Sequence, residues 1–405
     1  MLEVVFLPYI AAMWDSMESV WRAADADPNV KALVVPVPYH EVSQRGKLSK
    51  LRYEGDFMPS DIPVVDYKSY DFTERKPDVI YMHNPYDSNN HVTNVHKDFY
   101  SSRMRKHTRM LVYLPYNASG EKSVTANIAR MESFRMFDRI IVDTNQLADS
   151  FAEHVSRDKI AAMGSPKFDK VVQERGKPVQ LPDQWQSIID GRRTVLLNTT
   201  LNDILKNGTA FICKLKATIA AFTDKPDLML WWRPHPLSAV TIRTMRPILY
   251  GEYAAIVHSF IDRRTGIYDN TSDVHRAINA ADAYYGNESS LKQLFGLTGK
   301  PVVFMMFKNS TRGELPVDAG VEYLVPYQYR KDISKPLSRE AYIIRELSPR
   351  ADFYLFLRDY IIKHAEHAAD QIEAFSRNIV NANGTAGEKI HAYIMEQMKT
   401  ARPKP

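Results

Sequence analysis

The 405-residue sequence has a single cysteine, Cys213. No disulfide can form within one chain, and a lone thiol in an apolar helical pattern is expected to be buried, as in a protein of a reducing compartment. No apolar run approaches the roughly 18 residues that mark a membrane-spanning helix, so none is expected. The first residues already read as a strand, without the basic and apolar regions of a signal peptide. Also missing are a Gly-x-Gly-x-x-Gly turn, a Gly-Lys-Ser/Thr phosphate loop and a Gly-x-Ser-x-Gly elbow, so dehydrogenase, nucleotidase and esterase chemistry lack their parts. No Asp-x-Asp element stands where a metal-dependent transferase would need one, and no metal site or cofactor is expected. No internal repeat or low-complexity segment is found. Charge of one sign is scarce too: 53 Lys and Arg against 48 Asp and Glu leave a net +5 over the whole chain. That excess is a weak signal for nucleic acid, and no such partner is expected. The densest basic piece, Lys97 to Arg109, reads as a solvated surface or as a patch for an anionic membrane or glycan. His91, His96 and His107 lie in polar surroundings and read as solvated rather than as metal ligands.

What is present is an ordinary globular composition, 44% apolar and 25% charged, in a chain long enough for two or three domains. Val4 to Leu7 reads as a strand. A helix from Ser16 to Ala24 follows, capped by Asp15 or Ser16, and Ala32 to Val37 reads as a second strand. This β-α-β opening argues for a parallel sheet. Residues 41 to 62 look polar and irregular. Further strands are expected at Asp78 to Met82, Met110 to Leu114, Arg139 to Val142 and Ile160 to Met163, with a helix from about Gln146 to His154. Gln173 to Gly191 is polar, contains Pro178 and Pro182, and reads as a connection. A second series starts at Thr194 to Leu197 and includes a helix from Thr209 to Phe222. Two long helical patterns, Asp352 to Glu373 and Glu388 to Lys399, end the chain. The expected division is 1–175, a linker at 176–191, a second domain at 192–345, and C-terminal helices at 346–405 that cross back to the first domain. The fold class is α/β, with two facing Rossmann-like, doubly wound domains.

The candidate site is built around Leu228 to Phe307. The apolar run Leu228-Met229-Leu230-Trp231-Trp232 must end as a strand at Arg233-Pro234-His235-Pro236, because two prolines that close cannot continue a ladder. Arg233 and His235 are then left at the C-terminal edge, where open α/β sheets bind ligands. Two residues apart on an extended segment, they point the same way and are expected to meet one phosphate. Asn287-Glu288-Ser289-Ser290 opens a further helix, and the strand Pro301 to Phe307 follows it. This strand, turn and helix arrangement aims donors at an anion, or Ser289 and Ser290 are ordinary helix caps. Asn198, Thr199 and Thr200 end the neighbouring strand. Asp269 to Asp273 is a loop whose helix is capped by Thr271 or Ser272, and Asn270 and Asp273 are candidate ribose or base contacts. In the first domain His83, with Asp87 nearby, ends a strand and is the candidate general base. Asp15 is its reserve, and Asn117 lies on the neighbouring strand end.

In order, Asn198-Thr199-Thr200, Arg233-Pro234-His235-Pro236, Tyr268 to Asp273, Asp282 to Ser290 and Gly299-Lys300-Pro301-Val302 resemble the CDP-glycerol glycerophosphotransferase family of teichoic-acid polymerases and primases. Its pattern has an Arg/Lys-x-His-Pro strand end and an acidic Ser-Ser turn before a Lys-Pro-hydrophobic strand. The resemblance covers roughly Arg139 to Phe307. It implies a GT-B fold, a CDP-activated polyol donor as substrate, no metal for the donor phosphates, and a cytoplasmic protein with peripheral contact at the inner membrane face. Two features depart from the pattern. The family's Trp-His-Gly-Thr turn, whose His serves as acceptor base, is Pro115-Tyr116-Asn117-Ala118-Ser119-Gly120 here, and its Asp-Tyr-Ser-Ser turn is Asn287-Glu288-Ser289-Ser290.

The function expected from this resemblance is transfer of a polyol phosphate from a CDP-polyol to a hydroxyl of a glycan or polyol-phosphate acceptor. Two alternatives stay open. One is a GT-B glycosyltransferase using a nucleotide sugar, and the other is an inactive nucleotide- or glycan-binding protein.

Overall fold

The computed structural model describes residues 1–43, 46–90, 92–118, 128–287, 289–305, 307, 343–346 and 351–403. His91, Ser119, Gly120, Glu288 and Met306 lie outside the described residues. The chain divides into two compact units, Met1–Gln173 with Asn378–Pro405, and Glu174–Arg377.

The first unit is built on six parallel strands. In chain order these are β1 (Leu2–Leu7), β2 (Val30–Val34), β5 (Val79–Met82), β7 (Met110–Tyr113), β8 (Arg139–Val142) and β9 (Ile160–Ala162). They lie side by side in the order β2-β1-β5-β7-β8-β9, so the winding reverses between β1 and β5. Their near-continuous apolar runs reflect a sheet covered on both faces. Alternate residues divide between two cores. Val5, Leu7, Ile80, Met82, Leu111 and Tyr113 enter one, and Val4, Phe6, Val79, Tyr81, Met110 and Val112 enter the other. The second core is closed by Val20, Trp21 and Ala24 of the helix Glu18–Asp25 and by Ile390, Ile394 and Met398 of the helix Ala386–Met398. These helices approach closely, since a Cβ on Gly387 would stand 2.3 Å from the Ser19 Oγ. The Asp169 carboxylate accepts from Ser19 Oγ at 2.8 Å and from the backbone N–H groups of Ala386 and Gly387 at 2.9 and 2.6 Å. It thereby satisfies two N–H groups that a helix start leaves without partners.

Several sequence expectations change in detail. β2 stops at Val34, and Val64 joins it through one isolated bridge. Asp15 and Ser16 do not cap the helix Glu18–Asp25. Both lie inside a 3₁₀ turn, Ala11–Ser16, and Met17 holds the cap position without a side-chain bond. Residues 41 to 62 are not simply irregular. β3 (Tyr39–Val42), β4 (Leu48–Arg52) and β6 (Thr93–Val95) form a separate antiparallel sheet in the order β4-β3-β6. Every residue of β4 is exposed, so it carries none of the in-out alternation by which a half-buried strand is recognised.

The second unit also has one six-stranded parallel sheet. Its strands are β10 (Arg193–Thr199), β11 (Leu228–Pro234), β12 (Gly266–Tyr268), β13 (Ala283–Gly286), β14 (Val302–Met305) and β15 (Ile343–Glu346). Their order, β12-β11-β10-β13-β14-β15, is the 3-2-1-4-5-6 of Rossmann folds, with its switch point between β10 and β13. Leu228, Leu230 and Trp232 alternate into a core with Val195, Leu197, Tyr285 and Val303. That core is covered by Phe211, Ile212, Leu215 and Phe222 of the helix Thr209–Phe222 and by Tyr253, Ile256 and Phe260 of the helix Pro247–Asp262. Cys213 is on the outer side of its helix and exposed, which corrects the expectation of a buried thiol. The polar stretch before β10 contains a helix, Asp183–Ile189, whose Trp185 packs edge-on to Trp231 at 5.1 Å. The helical pattern after Asp352 is broken by a 3₁₀ turn, His364–His367, where the buried His364 bonds Tyr360 OH at 2.8 Å and the Gln371 amide at 2.7 Å. No helix among the described residues is long and apolar enough to cross a membrane.

Candidate functional site

The switch point of the second unit brings together sequence segments almost a hundred residues apart. Across β11, β10 and β13 the register sets Arg233 beside Asn198 and Asn198 beside Gly286. The fit at this edge needs glycine, because a Cβ on Gly286 would lie 2.6 Å from the Asn198 carbonyl oxygen and 2.8 Å from the Tyr284 hydroxyl. Asn198 Nδ2 donates to Tyr284 OH and to Ser289 Oγ, both at 2.9 Å, and Tyr284 OH donates to the Asn287 carbonyl at 2.8 Å. Asn287 Nδ2 donates to the Met305 carbonyl at 3.0 Å. Ser289 takes the N-cap position of the helix Ser290–Gly296, accepting from the Lys292 N–H. Asn198, Asn287 and Ser289 therefore form one hydrogen-bonded cluster with Ser290 at its rim. Thr199 and Thr200 have other tasks. Thr199 is fully buried and accepts from Trp232 Nε1 at 3.3 Å, which takes its side chain out of the edge. Thr200 caps the helix Leu201–Asn207 and donates to the Asp203 carboxylate, whose pKa burial pushes up to about 6.

Arg233 and His235 do not converge on one point as the alternation of a strand suggested. The Arg233 guanidinium is buried and donates to Asp269 Oδ2 at 2.6 Å and to the Thr271 carbonyl at 2.7 Å. Asp269 also accepts from Trp231 Nε1 at 3.0 Å and from the backbone and hydroxyl of Thr271 at 3.0 and 2.7 Å. The charge of Arg233 is thus neutralised by a carboxylate, and its evident work is to hold the loop after β12. In that loop Asn270 is exposed, and Asp273, rather than Thr271 or Ser272, caps the helix Val274–Ala280. His235 is tied to the edge through its own backbone N–H, which donates to the Thr199 carbonyl at 3.0 Å. Its Nδ1 accepts the Leu237 N–H at 3.1 Å, so the ring proton sits on Nε2. Burial lowers its pKa to about 4. At neutral pH His235 is an uncharged donor through Nε2, which has no partner among the described residues.

In the first unit, the candidate groups His83, Asp15 and Asp87 are already engaged. His83 is fully buried, and both ring nitrogens are engaged: Nε2 accepts the Tyr9 N–H at 3.2 Å, and Nδ1 faces Ser16 Oγ at 3.1 Å. Since Ser16 Oγ donates to the Met13 carbonyl, Nδ1 carries the proton. Burial, reinforced by the Lys167 charge, lowers the His83 pKa to about 3. This corrects the reading of His83 as a general base, for it has neither a lone pair to offer nor the basicity. Asp15 is no freer, because Lys167 Nζ contacts its two oxygens at 2.5 and 2.7 Å in a buried ion pair. Asp87 accepts from the backbone and hydroxyl of Ser101 at 2.9 and 2.7 Å. Asn117 lies half-buried in the bend after β7 and stands on the same edge as His83. Among the described residues no three His, Cys, Asp or Glu side chains gather as metal ligands would.

Sequence reasoning missed Asp269, Tyr284 and Asp203. A signal existed for the first, since a buried Arg demands a carboxylate and Asp269 is the acid that ends the adjoining strand.

No known family matches the sequence, and no curated protein does. Solved structures do. The wall teichoic acid polymerase TagF superposes over 98% of this chain and 89% of its own, with 12% identity and a TM-score of 0.59. A UDP-N-acetylglucosamine 2-epimerase covers 100% and 98%, with 11% identity and a TM-score of 0.54. MnaA of S. aureus, determined with UDP, covers 100% and 99%, with 12% identity and a TM-score of 0.55. Identities this low establish architecture alone, and that architecture is the GT-B fold, built from two Rossmann-like units.

Proposed function

We propose that the second unit binds a nucleoside diphosphate-activated donor at the switch point between β10 and β13, and that the protein transfers a polyol phosphate from a CDP-polyol to a hydroxyl acceptor. The observation that carries this reading is the open Nε2–H of His235, which stands at that edge beside the Asn198-Tyr284-Ser289 cluster. A crevice at the switch point is where open α/β sheets take nucleotides. A neutral donor there suits a diphosphate that must be held and then released. The cytidine and the polyol come from the family resemblance, as does the absence of any required metal.

In this reaction the acceptor oxygen attacks the phosphorus bearing the polyol. The bond from that phosphorus to the bridging oxygen breaks, CMP departs with the electron pair, and the hydroxyl proton passes to a base. Donors placed at the departing phosphate stabilise its developing charge, and losing one costs about 10²–10³ in rate. His83 and Asp15 are not given the role of base, because their lone pairs and charge are already committed.

A second reading, nucleotide binding without transfer, is favoured by the commitment of His83 and Asp15 to other groups. The test incubates the full chain with CDP-glycerol, CDP-ribitol or UDP-N-acetylglucosamine and a hydroxyl acceptor, and follows nucleotides by mass spectrometry. CMP release with a phosphodiester product supports the proposal. UDP release, or an epimerised sugar nucleotide, replaces the substrate class. Saturable CDP binding with no turnover establishes the second reading.

A further inference from the structure

A depression of about 180 Å³ lies on the first unit, lined by Arg130, Met131, Arg135, His154, Ser156 and Lys159 among others. Its walls come from the turns that lead into β8 and β9. It therefore sits at the N-terminal edge of the sheet, the end away from His83 and Asn117. Among the described residues the lining contains three cations and no carboxylate. Proteins usually neutralise such clusters, as this unit does elsewhere by pairing Arg105 with Asp138 and Arg109 with Asp78. Arg130, Arg135 and Lys159 form no ion pair with any described residue. Asp138 is hydrogen-bonded to Arg105 and the Leu111 N–H, and Asp158 accepts from Ser156 Oγ; both carboxylates feel the Lys159 charge without pairing with it.

The cluster is also partly ordered. Arg130 Nε donates to His154 Nε2 at 3.1 Å, which fixes the guanidinium and leaves its terminal nitrogens without partners among the described residues. Lys159 Nζ is drawn against the Arg135 carbonyl at 3.3 Å, so the two cationic segments are held side by side. The volume is below the roughly 300–1,000 Å³ of pockets that enclose a whole drug-sized ligand. It equals the space of about six waters, enough for a small anionic group. Three positive charges around so small a space suit a doubly charged tetrahedral anion better than a single carboxylate, and guanidinium groups are the usual partners of phosphate.

We propose that this depression binds a phosphate ester, with Arg130, Arg135 and Lys159 as its cationic contacts. The phosphate belongs either to a soluble polyol phosphate or to the headgroup of an anionic phospholipid. The proposal is independent of the nucleotide reading, since it concerns the other unit and the opposite kind of sheet edge.

The test uses the full chain with two probes, glycerol 3-phosphate by calorimetry and phosphatidylglycerol vesicles by co-sedimentation, with phosphatidylcholine vesicles as the neutral comparison. Arg130→Ala should weaken binding of the effective probe about 10-fold, as expected for one charge-assisted contact. Arg130→Lys should weaken it less, and the triple variant Arg130→Ala/Arg135→Ala/Lys159→Ala should abolish it. Arg130 and Arg135 are exposed and Lys159 is half-buried, and none of the three belongs to a core; CDP binding serves as a parallel check on the second unit. Saturable binding of glycerol 3-phosphate that is lost in the triple variant identifies a soluble ester. Binding to phosphatidylglycerol vesicles alone, lost in the same variant, identifies a headgroup. Neither probe bound by the wild type, or equal binding by wild type and triple variant, overturns the proposal.

Discussion

His235 offers the sharpest test of the nucleotide site, because its protonation state is set by geometry. The Leu237 N–H occupies Nδ1, so the ring can bind an anion only by donating from Nε2, and burial keeps it uncharged down to a pH of about 4. The sign of the pH effect follows. A group whose pKa lies that low does not change charge between about pH 5.5 and 8.5, so affinity for CDP-glycerol should be flat over that range. A diester donor is the right probe, because a terminal phosphate would titrate near pH 6 itself. If instead the anion pulled a proton onto His235, affinity would fall as pH rises through the raised pKa, by up to about tenfold per unit. Replacing the ring with His235→Ala removes one hydrogen bond to a charged group, worth about 1.5–3 kcal/mol, or about 10- to 150-fold in the dissociation constant. Isothermal titration calorimetry across the pH range reads both effects. Unchanged affinity in His235→Ala would remove His235 from the site, and a strong decline with rising pH would refute the neutral-donor argument.

Other substitutions probe the frame around it. Gly286→Ala forces a Cβ to within 2.6 Å of the Asn198 carbonyl; overpacking of this kind costs about 1–3 kcal/mol, so a lowered melting temperature and weakened nucleotide binding are expected together. Arg233→Met leaves the Asp269 carboxylate buried and unpaired at a cost of about 3–5 kcal/mol, whereas Arg233→Met with Asp269→Asn should regain much of it. Equal melting temperatures for these two proteins would show that the pair is not coupled. For His83 the unfolded state protonates near pH 6.5 and the folded state near 3, so stability is complete above about pH 6.5 and falls by roughly 1.4 kcal/mol per pH unit below it. His83→Gln should flatten the melting temperature's dependence on pH between about 5 and 6.5, and an unaltered slope would show that another group is responsible.

Most strands of the two parallel sheets were legible in the sequence because they are apolar on both faces and end at Pro, Asn or Gly, as Trp232-Arg233-Pro234 and Tyr285-Gly286-Asn287 do; the short edge strands β12 and β15 were not. The helix Thr209–Phe222 was legible end to end. The sheet β4-β3-β6 was not, since pairing between backbones stabilises β4 and leaves no hydrophobic pattern behind. Exposure of Cys213 was hidden for a related reason. In a helix where most residues are apolar, the sequence does not say which stripe faces out. At the candidate site, the strand end and the turn at Ser289 could be placed, but the partners could not. That Arg233 meets Asp269, and that Tyr284 joins Asn198 to Asn287, depends on the register of strands whose order no local pattern encodes.

The two strand-end histidines show why residue type and position alone do not assign a base. Each follows the last residues of a parallel strand, beside prolines, and each looks like a group of near-neutral pKa at a ligand-binding edge. Their fates differ because of what the neighbouring backbone supplies. After β1 the chain turns back so that the Tyr9 N–H and Ser16 reach His83, and a ring with both nitrogens satisfied becomes part of the core. After β11 the His235 ring has one partner only among the described residues, from its own turn, and its Nε2 has none among them. Burial lowers both pKa values, so basicity does not separate them. The count of committed lone pairs and protons does. By that count His83 can neither take a proton nor give one without breaking a hydrogen bond in the core, whereas His235 can donate to an anion at no such cost. Under the proposed transfer, the group that removes the acceptor's proton is to be sought among side chains with a lone pair still open.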